Sequence, residues 1–411
     1  MASYPSIRVP PADGSPIVFL ERAVGGRLGK DGVLAHLAPW NAMIYPDLPP
    51  FGNWVAAFTK LKSGALLKAQ LYHEESLASA EAARARDGAA SPPGPLTPVA
   101  APPLVRTVAA QCRSRRELRK RIVSAVTGRP LPQDAAPQIP RPGAPAAGIV
   151  AVSGGHPGRH LPLYGRLLPT SVWILREACK LRDAGEIPRS TTLIATANPA
   201  CPGRRADARH ALEKVQAGAQ IIITQPPLAE GSLQEWMSEA KACGLDFERA
   251  QRVFATKNKG QEEDQAEKQE GEKPKGESGA STERAAAPSA PSAPRLTTGM
   301  ADGSAPQGAP LLVLGFPVVS SRRNLDFWLG ITGEAASPDA QAVRDAFPDA
   351  DAGKKGQPVP EAIIEWHKKL LARYLDTPGV AGVHVMALTA ASHRIADALV
   401  EEGVIKVTAS E

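Results

Sequence analysis

The stretch from 193 to 228, LIATANPACPGRRADARHALEKVQAGAQIIITQPPL, constrains the fold more than any other part of the chain. It reads strand, loop, helix, turn, strand. Leu193 to Ala197 is a short apolar run that stops at Asn198-Pro199. The loop 198–205 is polar, and its prolines and Gly203 block regular structure. Over Ala206 to Ala217, Leu212 and Val215 fall at i, i+3 and Ala211 widens the apolar stripe, so the spacing predicts a helix. Gly218 stands where that helix should stop. Ala219 to Thr224 is β-branched and almost wholly apolar, the pattern of a strand buried on both faces of a parallel sheet.

Asp207, His210 and Lys214 lie at i, i+3 and i+7, which predicts that one helix face carries all three. Gln225 follows the carboxyl end of the next strand, the working end of a parallel α/β barrel. Spacing alone reads the same residues as a solvated helix face and a polar strand terminus.

The rest of the chain repeats this alternation. Strands are predicted at 16–20, followed by Glu21, and at 42–45, 67–72, 104–110 and 148–153. Further strands are predicted near 192, 220, 311–316 and 382–388. Helices are predicted at 54–66, 74–86, 115–127 and 171–184, the last capped by Thr170 or Ser171. Another runs from Ser232, where Ser232 and Glu235 form a capping box, to a stop at Gly244. The last two are at 359–374 and 391–402. Roughly eight strands alternating with helices is the count of an α/β, (β/α)8 TIM-type barrel.

Residues 1–15 read as a loose tail, and 16–405 as one barrel domain. Three insertions interrupt it. The stretches 87–103 and 128–147 are rich in Pro, Gly and Ala, and 257–308 in Lys, Glu, Gln, Ser, Ala and Pro. Such segments cannot bury enough apolar surface to offset chain entropy, so disorder is expected.

Charge and cysteine usage narrow the function. The net charge of +6 is scattered rather than gathered in one patch. In its densest cluster, RSRRELRKR at 113–121, Leu118 and then Ile122 alternate with the charges, and no aromatics are interleaved. That predicts an exposed helix face and no nucleic-acid partner. The loop Gly25 to Gly32 is glycine-rich but lacks the GK[ST] of a phosphate-binding loop. Cys112, Cys179, Cys201 and Cys243 show no metal-ligand spacing, so no metal is expected, and the cysteine usage fits a reducing, cytoplasmic compartment. No apolar run reaches the ~18 to 20 residues that span a bilayer, so no membrane partner is expected. The first residues lack a signal-peptide pattern, and Asp13 and Glu21 speak against a transit peptide. The oligomeric state stays open between monomer and homo-oligomer.

The segment KVQAGAQIIITQPPL resembles the KVDAGADFIITQ segment of the methylenetetrahydrofolate reductase family. That family has an acidic residue seven positions before the lysine and a glutamine eleven after it; here they are Asp207 and Gln225. Other stretches are similar in the same order: VRTVAAQCRSRRELRKRI, GIVAVSGGHPG, LVLGFPVVSSRRNLDFWLGITG and PGVAGVHVMALTAA. The resemblance covers about 104–405 and is weak before it.

The resemblance implies a barrel that binds FAD and reduces 5,10-methylenetetrahydrofolate to 5-methyltetrahydrofolate with NAD(P)H as co-substrate. By it, Asp207 would bond the ribityl hydroxyls, Lys214 would pair with the diphosphate, and His210 would donate a hydrogen bond to the same cofactor. Gln225 would hold the folate pterin, a task suited to a side chain that donates and accepts at once. Glu21 would be the general acid that opens the methylene bridge. Gly155, His156 and Asn198 fall at positions that line the flavin in the family.

The departures are specific. The family's RGD aspartate falls on Gly155 and its arginine on Ser153, so His156 substitutes only if the loop shifts by one residue. The tyrosine of the fifth strand end is Asn198. Glu21 is one residue out of register, and the final TLN becomes Ala387-Leu388-Thr389. Three readings follow: a diverged reductase, a non-catalytic flavin- or folate-binding homologue with an interaction or regulatory role, and an unrelated barrel enzyme sharing only the fold. Among the remaining histidines, His384 reads as an interior core residue and His367 as structural, while His156 stands balanced between loop and site.

Overall fold

The computed structural model describes residues 15–21, 42–45, 103–110, 114–129, 145–153, 168–201, 203–252, 310–352 and 358–405. The elements expected at 54–66, 67–72 and 74–86, the glycine loop near 154–158, the tail, and the three insertions apart from their edges lie outside these residues.

Among the described residues, eight parallel strands pair in chain order. They are β1 (Ile17–Glu21), β2 (Ala42–Tyr45), β3 (Leu104–Ala109), β4 (Gly148–Val152), β5 (Thr192–Ala197), β6 (Ile221–Thr224), β7 (Leu311–Pro317) and β8 (Val380–Met386). β8 returns to pair with β1, matching Phe19 to His384, and this closes the ring. The described helices are α1 (Arg115–Thr127), α2 (Ser171–Asp183), α3 (Arg204–Gln216), α4 (Glu230–Ala242), α5 (Arg322–Thr332), α6 (Pro338–Ala346), α7 (Glu361–Leu375) and α8 (Ala390–Glu401). The architecture is a TIM-like α/β fold.

Side-chain alternation explains why such a ring forms. Along a strand, successive residues face opposite sides. Ile17 and Phe19 join Ile44, Val105, Ile194, Ile223 and Val313 inside the ring. Val18 and Leu20 face outward and pack with Leu118, Leu175, Trp236 and Leu325 of the helices. A strand apolar on both sides suits only this two-layered burial.

One glycine is needed for closure. A Cβ on Gly382 would lie 1.9 Å from the Ile17 carbonyl oxygen. Glycine therefore lets β8 press against β1, and His384 follows two residues later on the interior side.

Local signals account for most helix ends. Ser114 and Thr170 accept first-turn N–H groups of α1 and α2 as N-caps. Gly218 takes φ 109 after α3, as its position in the sequence predicted. The capping box at Ser232 and Glu235 does not form. α4 starts earlier, at Glu230, with Ala229 as an N-cap that offers no side chain. Arg204 takes both residues instead, bonding Ser232 Oγ at 3.0 Å and pairing with Glu235. A distant carboxylate, Glu334, supplies the cap.

Two other boundaries move. Glu21 is the last residue of β1 rather than the first after it, because it pairs with Ile44 of β2. β8 begins at Val380, two residues earlier than expected, because Val380 already pairs with Leu312.

Candidate functional site

The carboxyl ends of the strands are where functional side chains collect in barrels of this kind. Glu21 stands at that end of β1. It continues the interior series of Ile17 and Phe19, and its side chain is 20 % exposed. Its carboxyl has no hydrogen-bond partner among the described residues, and His384 Nε2 stands 3.8 Å from Glu21 Oε2. Removal from water disfavours the charged form and raises the Glu21 pKa to about 7. The same effect lowers that of His384, 4 % exposed, to about 3. At neutral pH the site therefore holds a neutral imidazole beside a carboxyl group able to give or take a proton.

Gln225 lies two residues past Ile223 on the interior side, half-buried, with its N–H bonded to Ala197 O at 2.8 Å. Its side-chain amide makes no hydrogen bond with the described residues. The loop after it is held firmly. Glu334 accepts N–H groups from Leu228 at 3.1 Å and Ala229 at 3.2 Å. Tyr374 donates to Pro227 O at 3.0 Å, and Arg373 to Leu228 O at 2.9 Å. Burial raises the Glu334 pKa to about 7 against the lowering effect of its backbone donors. These bonds fix the backbone that presents Gln225. No local signal marks Glu334, which lies more than a hundred residues away in the chain.

The three polar residues of α3 share a side of the helix by spacing, but their side chains take different partners. Asp207 turns inward, and its Oδ2 accepts the Asn198 N–H at 3.1 Å and the Trp236 indole N–H at 2.9 Å. Lys214 is 5 % exposed and donates to Thr196 O at 2.6 Å. Burial lowers its pKa, while Asp207 and Glu213 act the other way. His210 points outward, its side chain 38 % exposed and bonded to Glu213 at 3.0 Å. It lines an external groove of about 980 Å³ beside Arg204, Arg205 and Glu239, away from the strand ends. Asn198 is occupied as well: its amide nitrogen donates to Thr332 O at 3.0 Å, and its Oδ1 accepts from Ala200 N.

These contacts bear on the flavin. Asp207 keeps Oδ1 for a hydroxyl donor, which suits a ribityl chain. A diphosphate needs a cation it can touch, and Lys214 is buried against a backbone carbonyl. Lys214 is therefore not placed to meet a flavin diphosphate. Gly155 and His156 lie outside the described residues.

Among the described residues no group of three or more His, Cys, Asp or Glu is placed to hold a metal ion. No described helix is long and apolar enough to cross a membrane. The basic cluster is a helix surface, where Arg119 pairs with Glu177 and Glu186, and Arg121 with Glu117. No family model matches the chain, and no curated protein is similar to it.

Proposed function

We propose that the chain is a folate-handling enzyme of the methylenetetrahydrofolate reductase type, built on a complete (β/α)8 barrel. It reduces 5,10-methylenetetrahydrofolate to the 5-methyl form with NAD(P)H, acting in the cytoplasm on a small-molecule substrate. The observation that carries this reading is the carboxyl of Glu21, held at the mouth of the ring with no hydrogen-bond partner among the described residues, where burial raises its pKa. A general acid works best when its pKa lies near the working pH.

The described residues account for the proton half of the reaction. Glu21 gives its proton to the bridge nitrogen as the bond from that nitrogen to the methylene carbon breaks, and is left as a carboxylate. The Gln225 amide, free of partners among the described residues, donates to and accepts from the pterin ring. The locked loop behind it fixes the direction of those bonds.

Absorbance of the purified protein tests this. Flavin bands that bleach with NADH or NADPH and return with methylenetetrahydrofolate support the reductase. A protein with neither flavin bands nor turnover after added FAD contradicts it.

A second reading rests on the Lys214 to Thr196 bond. On this reading flavin is not held at all, and the chain is a non-catalytic homologue that binds folate and acts as an interaction or regulatory protein. Folate binding without flavin retention, followed by quenching of protein fluorescence, is the result that separates it from the first.

A further inference from the structure

His384 is the least satisfied polar side chain in the described interior. Both its ring nitrogens are buried and neither has a hydrogen-bond partner. A buried polar group without a partner is destabilising, so such groups are few and call for an explanation. Compare His367, equally buried, where Nδ1 bonds to Ile363 O at 2.7 Å and Nε2 accepts the Val319 N–H at 2.9 Å. That ring is a satisfied structural pin. His384 has only Glu21, just beyond hydrogen-bond range.

The described surroundings leave no other partner. The interior cluster around β1 is apolar, with Ile17, Phe19, Ile44, Leu311 and Val313. β7 presents Gly315 opposite His384, and β8 carries no other ionisable residue. From β1, β2, β7 and β8, the described ionisable side chains facing this space are Glu21 and His384 alone.

We propose that His384 is the positioning residue of Glu21: its neutral imidazole holds one carboxyl oxygen from below and leaves the other to face a ligand at the mouth. A closure of about 1 Å brings Nε2 to the usual distance of a charge-assisted hydrogen bond. When Glu21 gives its proton to a ligand nitrogen, Nε2–H donates to the carboxylate left behind. His384 keeps its own proton throughout, so one proton moves, from Glu21 to the ligand. The resting separation explains why the acid holds its proton, and the closed contact stabilises its ionised form. This inference rests on the reading of Glu21 as the acid.

The test is a pH titration of the full-length protein carrying ¹³C-carboxyl-labelled glutamate, with the Glu21 resonance assigned by its loss in Glu21→Gln. His384→Phe should move the Glu21 midpoint upward, weakening acid dissociation threefold or more. His384→Gln, whose amide can still donate, should restore it toward the wild-type value. A merely structural histidine would alter stability in both variants and leave the midpoint in place, and that result overturns the proposal. Should His384→Phe fail to fold, the wild-type ring nitrogens serve: their ¹⁵N resonances must move with the Glu21 midpoint and stay flat in Glu21→Gln. A ring that ignores Glu21 overturns the proposal equally. A shifted midpoint in a protein that never turns over methylenetetrahydrofolate leaves the pair standing and removes the reductase reading. Turnover with an unmoved midpoint does the reverse.

Discussion

The carboxylate of Glu334 accepts the Leu228 N–H at 3.1 Å, across a sequence gap of 106 residues. With Ala229 it caps α4 from the far side of the loop, where no local side chain does. Glu334→Ala leaves two buried N–H groups without acceptors. The expected loss is about 2–6 kcal/mol, from about 1–3 kcal/mol for each orphaned donor. Glu334→Gln keeps one acceptor oxygen and should lose roughly half as much. Urea unfolding of the three proteins measures the difference, and equal stabilities would contradict the cap.

Four buried groups set an unusual pH profile. His367 and His384 have folded pKa values near 4 and 3 against a reference of 6.5. Below 6.5 the unfolded chain therefore binds protons that the fold refuses, and stability falls as pH drops through that window. Glu21 and Glu334 are raised to about 7 from 4.5, so the fold keeps protons that the unfolded chain has released. Their contribution is lost as pH rises from 4.5 to 7. Between 4.5 and 6.5 the two effects oppose, one proton for one. The expected profile is flat there, and falls on both sides by ~1.4 kcal/mol per pH unit for each uncompensated proton. Glu21→Gln should remove part of the alkaline fall, raising Tm at pH 8 and leaving it little changed at pH 4. A Glu21→Gln protein with lower Tm at pH 8 would mean the carboxyl is not desolvated.

Lys214→Met separates structure from cofactor binding. The lysine donates to Thr196 O at 2.6 Å, and a hydrogen bond to a charged donor is worth about 1.5–3 kcal/mol. The account predicts a loss of that size with flavin retention unchanged. Loss of flavin at unchanged stability would give the lysine to the diphosphate instead.

Gly382→Ala should open the seam between β1 and β8, since the added Cβ meets the Ile17 carbonyl at 1.9 Å. Neither backbone can yield without breaking the pairing that ends the ring, so the cost should exceed the ~1–3 kcal/mol of ordinary overpacking. Poor soluble yield or a sharply lowered Tm is the expected readout.

What the sequence revealed and what it hid divide by range. The β5–α3–β6 unit was legible because its signals are local: β-branched runs, a helical stripe, and Gly218 at the one position needing φ above zero. α7 was legible too, since Ile363, Ile364, His367, Leu370 and Leu371 share a face, and all are buried. The start of α4 was misread because a plausible local capping box competed with Glu334, which no nearby residue announces. The helix periodicity of Asp207, His210 and Lys214 placed them together, but tertiary partners divided them: Trp236 and Thr196 drew two inward, and Glu213 held the third at the surface. His384 was placed correctly in the interior, yet the carboxyl beside it lies on the first strand, at the other end of the chain. α6 went unread because its nine residues carry a single fully buried side chain, Ala340.

The most direct measurement is formation of 5-methyltetrahydrofolate by the wild type and by Glu21→Gln, each given methylenetetrahydrofolate, added FAD and a reduced nicotinamide without oxygen. The account predicts product from the wild type, on a pH profile that falls above about 7 as Glu21 loses its proton. It predicts a rate lower by about 100-fold or more in the variant, with folate binding retained. Equal rates in the two proteins, or no product from either, would contradict it.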